Sequence, residues 1–205
     1  MPNKDVPWVE PIVLEGRFVR LEPIRPKHAR DLARHADDDI FAYHTLVFPR
    51  EQSVGALKEY VARMRSLENT LAFAIVARST MRAAGVTTYM DIRPAHRAIE
   101  IGMTWIGKEW QGTAINPECK LLLMEHAFER LGAERVQLKA DRRNLHSLRA
   151  IEKLGAVREG ILRSYSIGRD GSTTDRVLYS VIASEWPAVK SRLIERLAKL
   201  SIDPA

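Results

Sequence analysis

The residues whose types and spacing could do chemistry gather between Glu100 and Lys120, in the stretch EIGMTWIGKEWQGTAINPECK. Its first part alternates, with Ile101, Met103 and Trp105 set between Glu100, Gly102 and Thr104, as a half-buried strand does. Gly107 and the loop Trp110-Gln111-Gly112-Thr113-Ala114 follow, and after Ile115 the pair Asn116-Pro117 reads as an N-cap and first helical residue. Leu121, Met124, Phe128 and Leu131 then recur at helical spacing. A strand, a small-residue loop and a helix N-terminus together make a cradle for an anion. The first-turn N–H groups lack intrahelical partners, and the macrodipole adds roughly +0.5 charge there. The same pattern also serves a plain strand-to-helix connection, and spacing alone leaves both open.

Other reactive types are sparse. Asn144 is a competent N-cap for a second short helix, with Ser147 in its first turn. Cys119 is the only cysteine; it reads as core packing, excludes an internal disulfide and fits a reducing compartment. The histidines, at 28, 35, 44, 96, 126 and 146, show no metal-ligand spacing, so no metal is expected.

The elements that must position these residues can be read in order. The chain opens with a polar, proline-punctuated stretch to about Glu15, a half-buried strand at 17–24 and a short helix from Pro26 to about Ala36. Residues 43–49 form an apolar, irregular loop suited to cover a pocket, and Ser53 caps a helix to about Leu67. Strands at 71–77, 84–91 and from Glu100, joined by short turns, imply an antiparallel meander. The helix after the cradle ends at Leu131-Gly132, followed by a strand at 135–140 and the Asn144 helix, with Leu148, Ile151 and Leu154 inward. Strands at 157–167 and 175–182 and a terminal helix carrying Val189, Leu193 and Leu197 complete an α+β domain with helices covering a mostly antiparallel sheet.

At 205 residues the chain suits one domain, with a core from about 14 to 183 and a C-terminal helix at about 185–199. No apolar run approaches the roughly 20 residues of a membrane span, and the N-terminus lacks a targeting core, so a cytoplasmic protein is expected. The net charge of +6 favours acidic partners, but no run of five basic residues occurs and no aromatic–basic interleaving suggests a stacking platform. A general nucleic-acid binder is disfavoured.

The order of elements, with phrases Leu14-Glu15-Gly16, Glu100-Ile101-Gly102, Trp110-Gln111-Gly112-Thr113-Ala114, Asn144-Leu145-His146-Ser147, Glu152-Lys153-Leu154-Gly155-Ala156 and Glu159-Gly160, resembles the GNAT superfamily of acyl-CoA N-acyltransferases. Within it the phrases resemble the Rim-type, ribosomal-protein N-terminal acetyltransferase-like branch. The resemblance implies a GNAT fold, a mixed and mostly antiparallel central sheet flanked by helices. It also implies an acetyl-CoA-dependent N-acetyltransferase. The family's pyrophosphate signature falls on Gln111, Ala114 and Asn116, so its middle glycine is alanine and its last small residue asparagine. Cofactor binding would use N–H groups of Gln111, Gly112, Thr113, Ala114, Ile115 and Asn116, while Met103, Thr104 and Trp105 would run beside the pantetheine. Asn144 would contact the pantetheine arm, and Ser147 would lie near the departing thiolate.

The resemblance implies direct attack of a neutral amine on the thioester, whose carbonyl a backbone N–H near Met103-Thr104 can polarise. Two departures bear on proton handling: a family glutamate base falls at Lys139, and a family tyrosine acid at Ile151. Glu100 becomes the first candidate base, with Tyr89, Asp91, His44 and His96 behind it. Lys108, Lys120, Arg143 and Arg149 are candidates for the ribose 3′-phosphate. The acceptor, a protein N-terminus or a small amine, would sit among residues 43–49, the turn at 89–96 and the hairpin around Tyr165. Two rival readings are a non-catalytic acyl-CoA-binding module and a ribosome- or nucleic-acid-associated binder. A homodimer is compatible with the resemblance.

Overall fold

The structure, a computed structural model, describes residues 8 to 45, 48, 49 and 51 to 202, with residues 201 and 202 as backbone. Eight strands form one sheet: β1 (Leu14–Glu15), β2 (Val19–Pro23), β3 (Leu71–Ala77), β4 (Arg82–Arg93), β5 (Ala98–Ile106), β6 (Arg135–Asp141), β7 (Val157–Ile167) and β8 (Thr173–Ile182). Their spatial order is β1-β2-β3-β4-β5-β6-β8-β7. Only β5 and β6 pair in parallel, because the chain between them crosses over through a helix. The helices are α1 (Ala29–His35), α2 (Asp38–Phe41), α3 (Val54–Ser66), α4 (Ile115–Glu125), α5 (Leu145–Glu152) and α6 (Trp186–Ile202). The expected α+β architecture and the antiparallel meander β3-β4-β5 are what the chain forms.

Strand β3 shows why the sheet has two cores. Phe73, Ile75 and Ala77 point to one face and Ala72, Ala74 and Val76 to the other, all buried, as befits an apolar run in an interior strand. The first face packs on α4, α5 and α6 through Cys119, Leu123, Ile151, Val189 and Leu193. The second packs on α1, α2 and α3 through Leu32, Phe41, Leu57 and Val61. Ser53 caps α3 as expected, its Oγ accepting from Ala56 N at 3.1 Å. Over β6 and β8 the second face is polar, with Gln137, Lys139, Asp141, Arg176 and Ser180 along it.

Helix α4 is anchored at its start by a carboxylate. Glu118, buried, accepts backbone N–H bonds from Arg17 (2.8 Å), Phe18 (2.6 Å) and Val19 (2.7 Å), tying the β1–β2 turn to the helix. A Cβ at Gly16 would stand 2.4 Å from the Glu118 carboxyl carbon, so this close approach requires glycine. At its far end α4 passes into a π-helical turn, His126–Arg130, and Gly132 at φ +65° stops it.

Candidate active site

The site is built where β5 parts from β6 and bulges against β4. Its parallel pairing with β6 consists of Ala98↔Arg135, Ile99↔Val136 and Glu100↔Gln137, and then the two strands part. Strand β6 continues with β8 as far as Asp141↔Arg176, while β5 continues with β4 as far as Ile106↔Gly85. From Ile101 onward the β6-side edge of β5 therefore offers main-chain N–H and C=O groups inside the sheet, where a ligand amide can pair with them.

On its other side β5 is bulged. Val86 pairs with Trp105 and Thr88 with Gly102, so Met103 and Thr104 together oppose Thr87. Met103 takes φ +45°, an uncommon conformation for a side chain of its size. This corrects the alternation read from sequence: Ile101 faces α4, but Trp105 lies in the opposite core and donates to the Tyr60 hydroxyl at 3.2 Å. The extra residue switches faces within one strand. Thr104 now meets Thr87 hydroxyl to hydroxyl at 2.8 Å and accepts from Lys120 Nζ at 2.8 Å.

The cradle follows. Gln111 Nε2 donates to Ile106 O at 3.2 Å and ties the loop to the end of β5, and Gly112 turns it at φ +80°. Helix α4 starts earlier than the Asn116-Pro117 signal indicates: Ala114 is its N-cap and Ile115 its first residue. Thr113 Oγ1 takes over the capping, accepting from Ile115 N at 3.3 Å and donating to Trp110 O at 2.7 Å. Pro117 still sits within the first turn, where it has no N–H to leave orphaned. Among the described residues the amides of Gly112, Thr113, Ala114 and Asn116 have no acceptor, which is the arrangement an anion needs. A cavity of about 440 Å³ beside the loop is lined by Arg17 and Arg78 as well as Thr113 and Ala114.

Across the gap, Asp141 ends β6 and holds Arg143 by its backbone N (2.9 Å) and guanidinium (3.1 and 3.0 Å). Asn144 Oδ1 accepts from Ser147 N at 3.0 Å and starts α5. Ser147 is half-buried, and its hydroxyl makes no hydrogen bond among the described residues. Met103 and Thr104 thus lie in β5 beyond its pairing with β6, Gln111 to Asn116 follow the end of that strand, and Asn144 and Ser147 open α5 after the end of β6.

This geometry meets a family. The acetyltransferase (GNAT) domain family matches residues 19–157. The chain belongs to the GNAT acetyltransferases. The probable N-acetyltransferase YjcK of Bacillus subtilis (strain 168) is 33% identical over 159 residues, covering 74% of this chain and 87% of its own. A protein of T. thermophilus assigned as an acetyltransferase superposes with TM-score 0.86 at 40% identity, covering 93% of this chain and 99% of its own. Mycobacterium smegmatis RimJ, solved in complex with CoA-disulfide, shares the fold at TM-score 0.78 and 20% identity, covering 91% and 95%. GNAT enzymes use acetyl-CoA, and this one is an acetyltransferase.

The acid–base candidates of this GNAT protein occupy distinct settings. Glu100 is 3% exposed, and its Oε2 accepts from both Gln137 Nε2 and Lys139 Nζ at 2.9 Å. Gln137 also donates to Asp91 at 3.0 Å, and Lys139 donates to the Tyr165 hydroxyl at 2.7 Å. Burial works against the Lys139 ammonium, yet the Glu100 charge and the bonds to Tyr165 and Glu100 hold its pKa above the usual lysine value. Tyr89 lies in the core with its hydroxyl on the Leu123 carbonyl, Ile151 is core packing, and His96 stands exposed in a turn. Burial raises the Cys119 thiol to about 11, so it stays protonated and inert. Of the cations considered for the 3′-phosphate, Lys108 is bound to Asp37 (2.8 Å) and Asp39 (2.7 Å), Arg143 to Asp141, and Lys120 is buried; Arg149 is exposed.

Residues 38–45, 48 and 49 are held down by the β7–β8 hairpin as a cover. Thr45 bridges Gly168 in the β7–β8 hairpin, Arg176 donates to Tyr43 O at 3.3 Å, and Arg169 donates to Pro49 O at 3.1 Å and pairs with Asp38 at 3.4 Å. Leu46 and Val47, part of the loop expected over the pocket, lie outside the described residues. Under the cover His44 packs on Phe48 at 4.1 Å between ring centroids and edge-on to Phe41, with Nε2 at 3.4 Å from Thr104 O. Desolvation lowers its pKa to about 4, so the ring is neutral near pH 7. The run Phe41, Tyr43, His44, Phe48 is the only sequence signal for it, an aromatic loop that shows no partner until the chain folds.

Proposed function

We propose that the protein transfers the acetyl group of acetyl-CoA to a primary amine by direct attack on the thioester. The observation that carries this is the parting of β5 from β6 beside a bulge, with an amide cradle at the end of the same strand. Pyrophosphate would lie against the amides of Gln111 to Asn116, and the pantetheine amides would pair with the free edge of β5 at Met103, Thr104 and Trp105. The fold's likeness to a RimJ bound to CoA-disulfide supports this path. A backbone N–H of the bulge would polarise the thioester carbonyl, and Ser147, at the α5 N-terminus opened by Asn144, would donate to the departing thiolate. Glu100 would act in holding Lys139 and Tyr165 along the acceptor side rather than as a free base. The acceptor is a protein N-terminus or a small amine, and the whole chain acts as one catalytic domain.

A second reading, an acyl-CoA-binding module without turnover, draws on Lys139 and Ile151 standing where the family resemblance implies acid–base groups. Thermal unfolding with acetyl-CoA, followed by thiol release over a panel of peptides and amines, separates the two. Ligand at 100 times its dissociation constant adds about 2.7 kcal/mol. Stabilisation with thiol release supports the enzyme, stabilisation without release on any acceptor supports the module, and no stabilisation overturns both.

A further inference from the structure

Lys120 is a buried cation without a counterion. It stands in the second turn of α4, is 5% exposed, and among the described residues its ammonium meets one threonine hydroxyl and no carboxylate. We propose, resting on the acetyl-transfer reading above, that Lys120 is a positioning residue for the reaction. Through Thr104 its positive charge stabilises the oxyanion that forms when an amine attacks the thioester at the β5 bulge.

An ammonium has three hydrogens to donate. Thr104 Oγ1 takes one at 2.8 Å, and the others have no protein acceptor among the described residues. Thr104 belongs to the bulge itself, in the part of β5 that has left β6. Its hydroxyl also meets Thr87 Oγ1 at 2.8 Å and Gly102 O at 3.3 Å, so the ammonium is fastened to the strand and not to the cradle loop. The Thr104 hydroxyl and main-chain N–H sit on one residue, and an oxygen held by the bulge lies one side chain from the charge. The nearest acid on α4 does not answer that charge: Glu118 is spent on the amides of Arg17, Phe18 and Val19. A packing role needs no ammonium, because an apolar side chain of similar length fills the same space without the desolvation cost.

The other titratable groups around the bulge bring no charge to compete with it. His44, with Nε2 at 3.4 Å from Thr104 O, is neutral near pH 7 because burial lowers its pKa to about 4. Burial pushes the Cys119 thiol up to about 11 and the Tyr89 hydroxyl well above its usual value, so both stay protonated. Attack of the amine nitrogen on the thioester carbon moves the carbonyl π pair onto oxygen. Re-formation of C=O then breaks the C–S bond, the nitrogen gives up a proton to water, and the thiolate takes one. Lys120 keeps its proton throughout. Its attraction for the oxygen is greatest in the charged intermediate, and the low dielectric of the interior strengthens it there.

The test measures binding of acetyl-CoA and of S-carboxymethyl-CoA, whose carboxylate carbon replaces the acetyl methyl. The proteins are wild type, Lys120→Met and the exposed-lysine control Lys58→Met. In calorimetry Lys120→Met is expected to bind carboxymethyl-CoA about tenfold more weakly than wild type, with acetyl-CoA affinity within threefold and neither changed in Lys58→Met. With an acceptor that wild type uses, among Ala-, Ser- and Met-initiated peptides and spermine, kcat of Lys120→Met falls by about 10²-fold and the acceptor KM stays within threefold. Equal weakening of the two ligands, or a kcat within threefold of wild type, overturns the assignment and leaves Lys120 a clamp between α4 and β5. Wild type that binds no acetyl-CoA, or binds it and releases thiol on no acceptor, overturns the acetyl-transfer reading and the oxyanion role with it. If Lys120→Met fails to fold, nitrogen NMR of the wild-type Lys120 side chain decides. An ammonium signal near pH 7 that shifts on adding carboxymethyl-CoA supports the proposal, and a neutral amine or an unmoved signal refutes it.

Discussion

Lys120 carries an ammonium into the interior, where among the described residues one threonine hydroxyl meets it and no carboxylate does. Burial lowers its pKa, so folding disfavours the proton and stability rises with pH until the unfolded side chain also loses its proton near 10.5. Replacing a buried charge by an apolar side chain of similar length is often neutral or stabilising. Lys120→Met is therefore expected to unfold at equal or higher denaturant concentration, by up to about 2 kcal/mol, and to lose the alkaline slope. Destabilisation beyond about 2 kcal/mol would mean that the hydroxyl pair at the bulge depends on the ammonium. Gly112 makes a different demand: at φ +80° a side chain is strained although nothing lies within 4 Å of its Cβ position. Gly112→Ala should cost about 1 to 2 kcal/mol in chemical unfolding and weaken acetyl-CoA binding measured by calorimetry, because the loop relaxes away from the shape that aims its amides.

At the scale of elements, two side chains hold the parts of the site in register. Glu118 satisfies three amides of the β1–β2 turn from within α4. Glu118→Ala leaves those donors without an acceptor and should cost about 3 kcal/mol in urea unfolding, a value well above that of an ordinary surface change. Arg169 fastens the cover, reaching Pro49 O and Asp38 from the β7–β8 hairpin. Arg169→Ala should raise the acceptor KM severalfold while leaving acetyl-CoA affinity within twofold, because its bonds go to Asp38 and Pro49 in the cover and none to the cradle loop. Equal loss of both affinities in steady-state kinetics would contradict that division.

For the whole molecule, acid stability follows from groups whose protons are disfavoured by folding. Burial lowers the pKa values of His28, His44 and His126, and for His44 the value reaches about 4 from 6.5. The unfolded chain then binds protons that the folded one does not, so stability falls as pH drops from 6.5, and for His44 the fall continues to about 4. Glu159 acts lower: its bonds to Arg135 hold its pKa near 2, so its contribution is present above 4.5 and is lost between 4.5 and about 2. Unfolding free energy measured between pH 6.5 and 4 should decline, and His44→Gln should flatten the slope by up to about 1.4 kcal/mol per pH unit. Glu159→Gln should leave that window unchanged and flatten the one below 4.5. The converse assignment of the two windows would contradict the burial of His44.

The sequence by itself determined the elements and their order, because apolar periodicity, Ser53, Asn144 and Gly132 act through neighbours a few residues away. It also carried the family resemblance, whose phrases lie in the same short-range loops. The start of α4 departs from the Asn116 signal because Thr113, in the loop, takes the capping hydrogen bonds. Only the tertiary structure decided which groups are free to react. Glu100 is committed by Lys139 and Gln137 from a strand about forty residues away. His44 is brought to Thr104 by a loop that the β7–β8 hairpin holds down. The bulge at Met103 and Thr104 leaves an alternating pattern intact in the sequence while turning its second half to the other face. Burial and partnership depend on distances between remote segments, and those distances exist only once the sheet has closed around them.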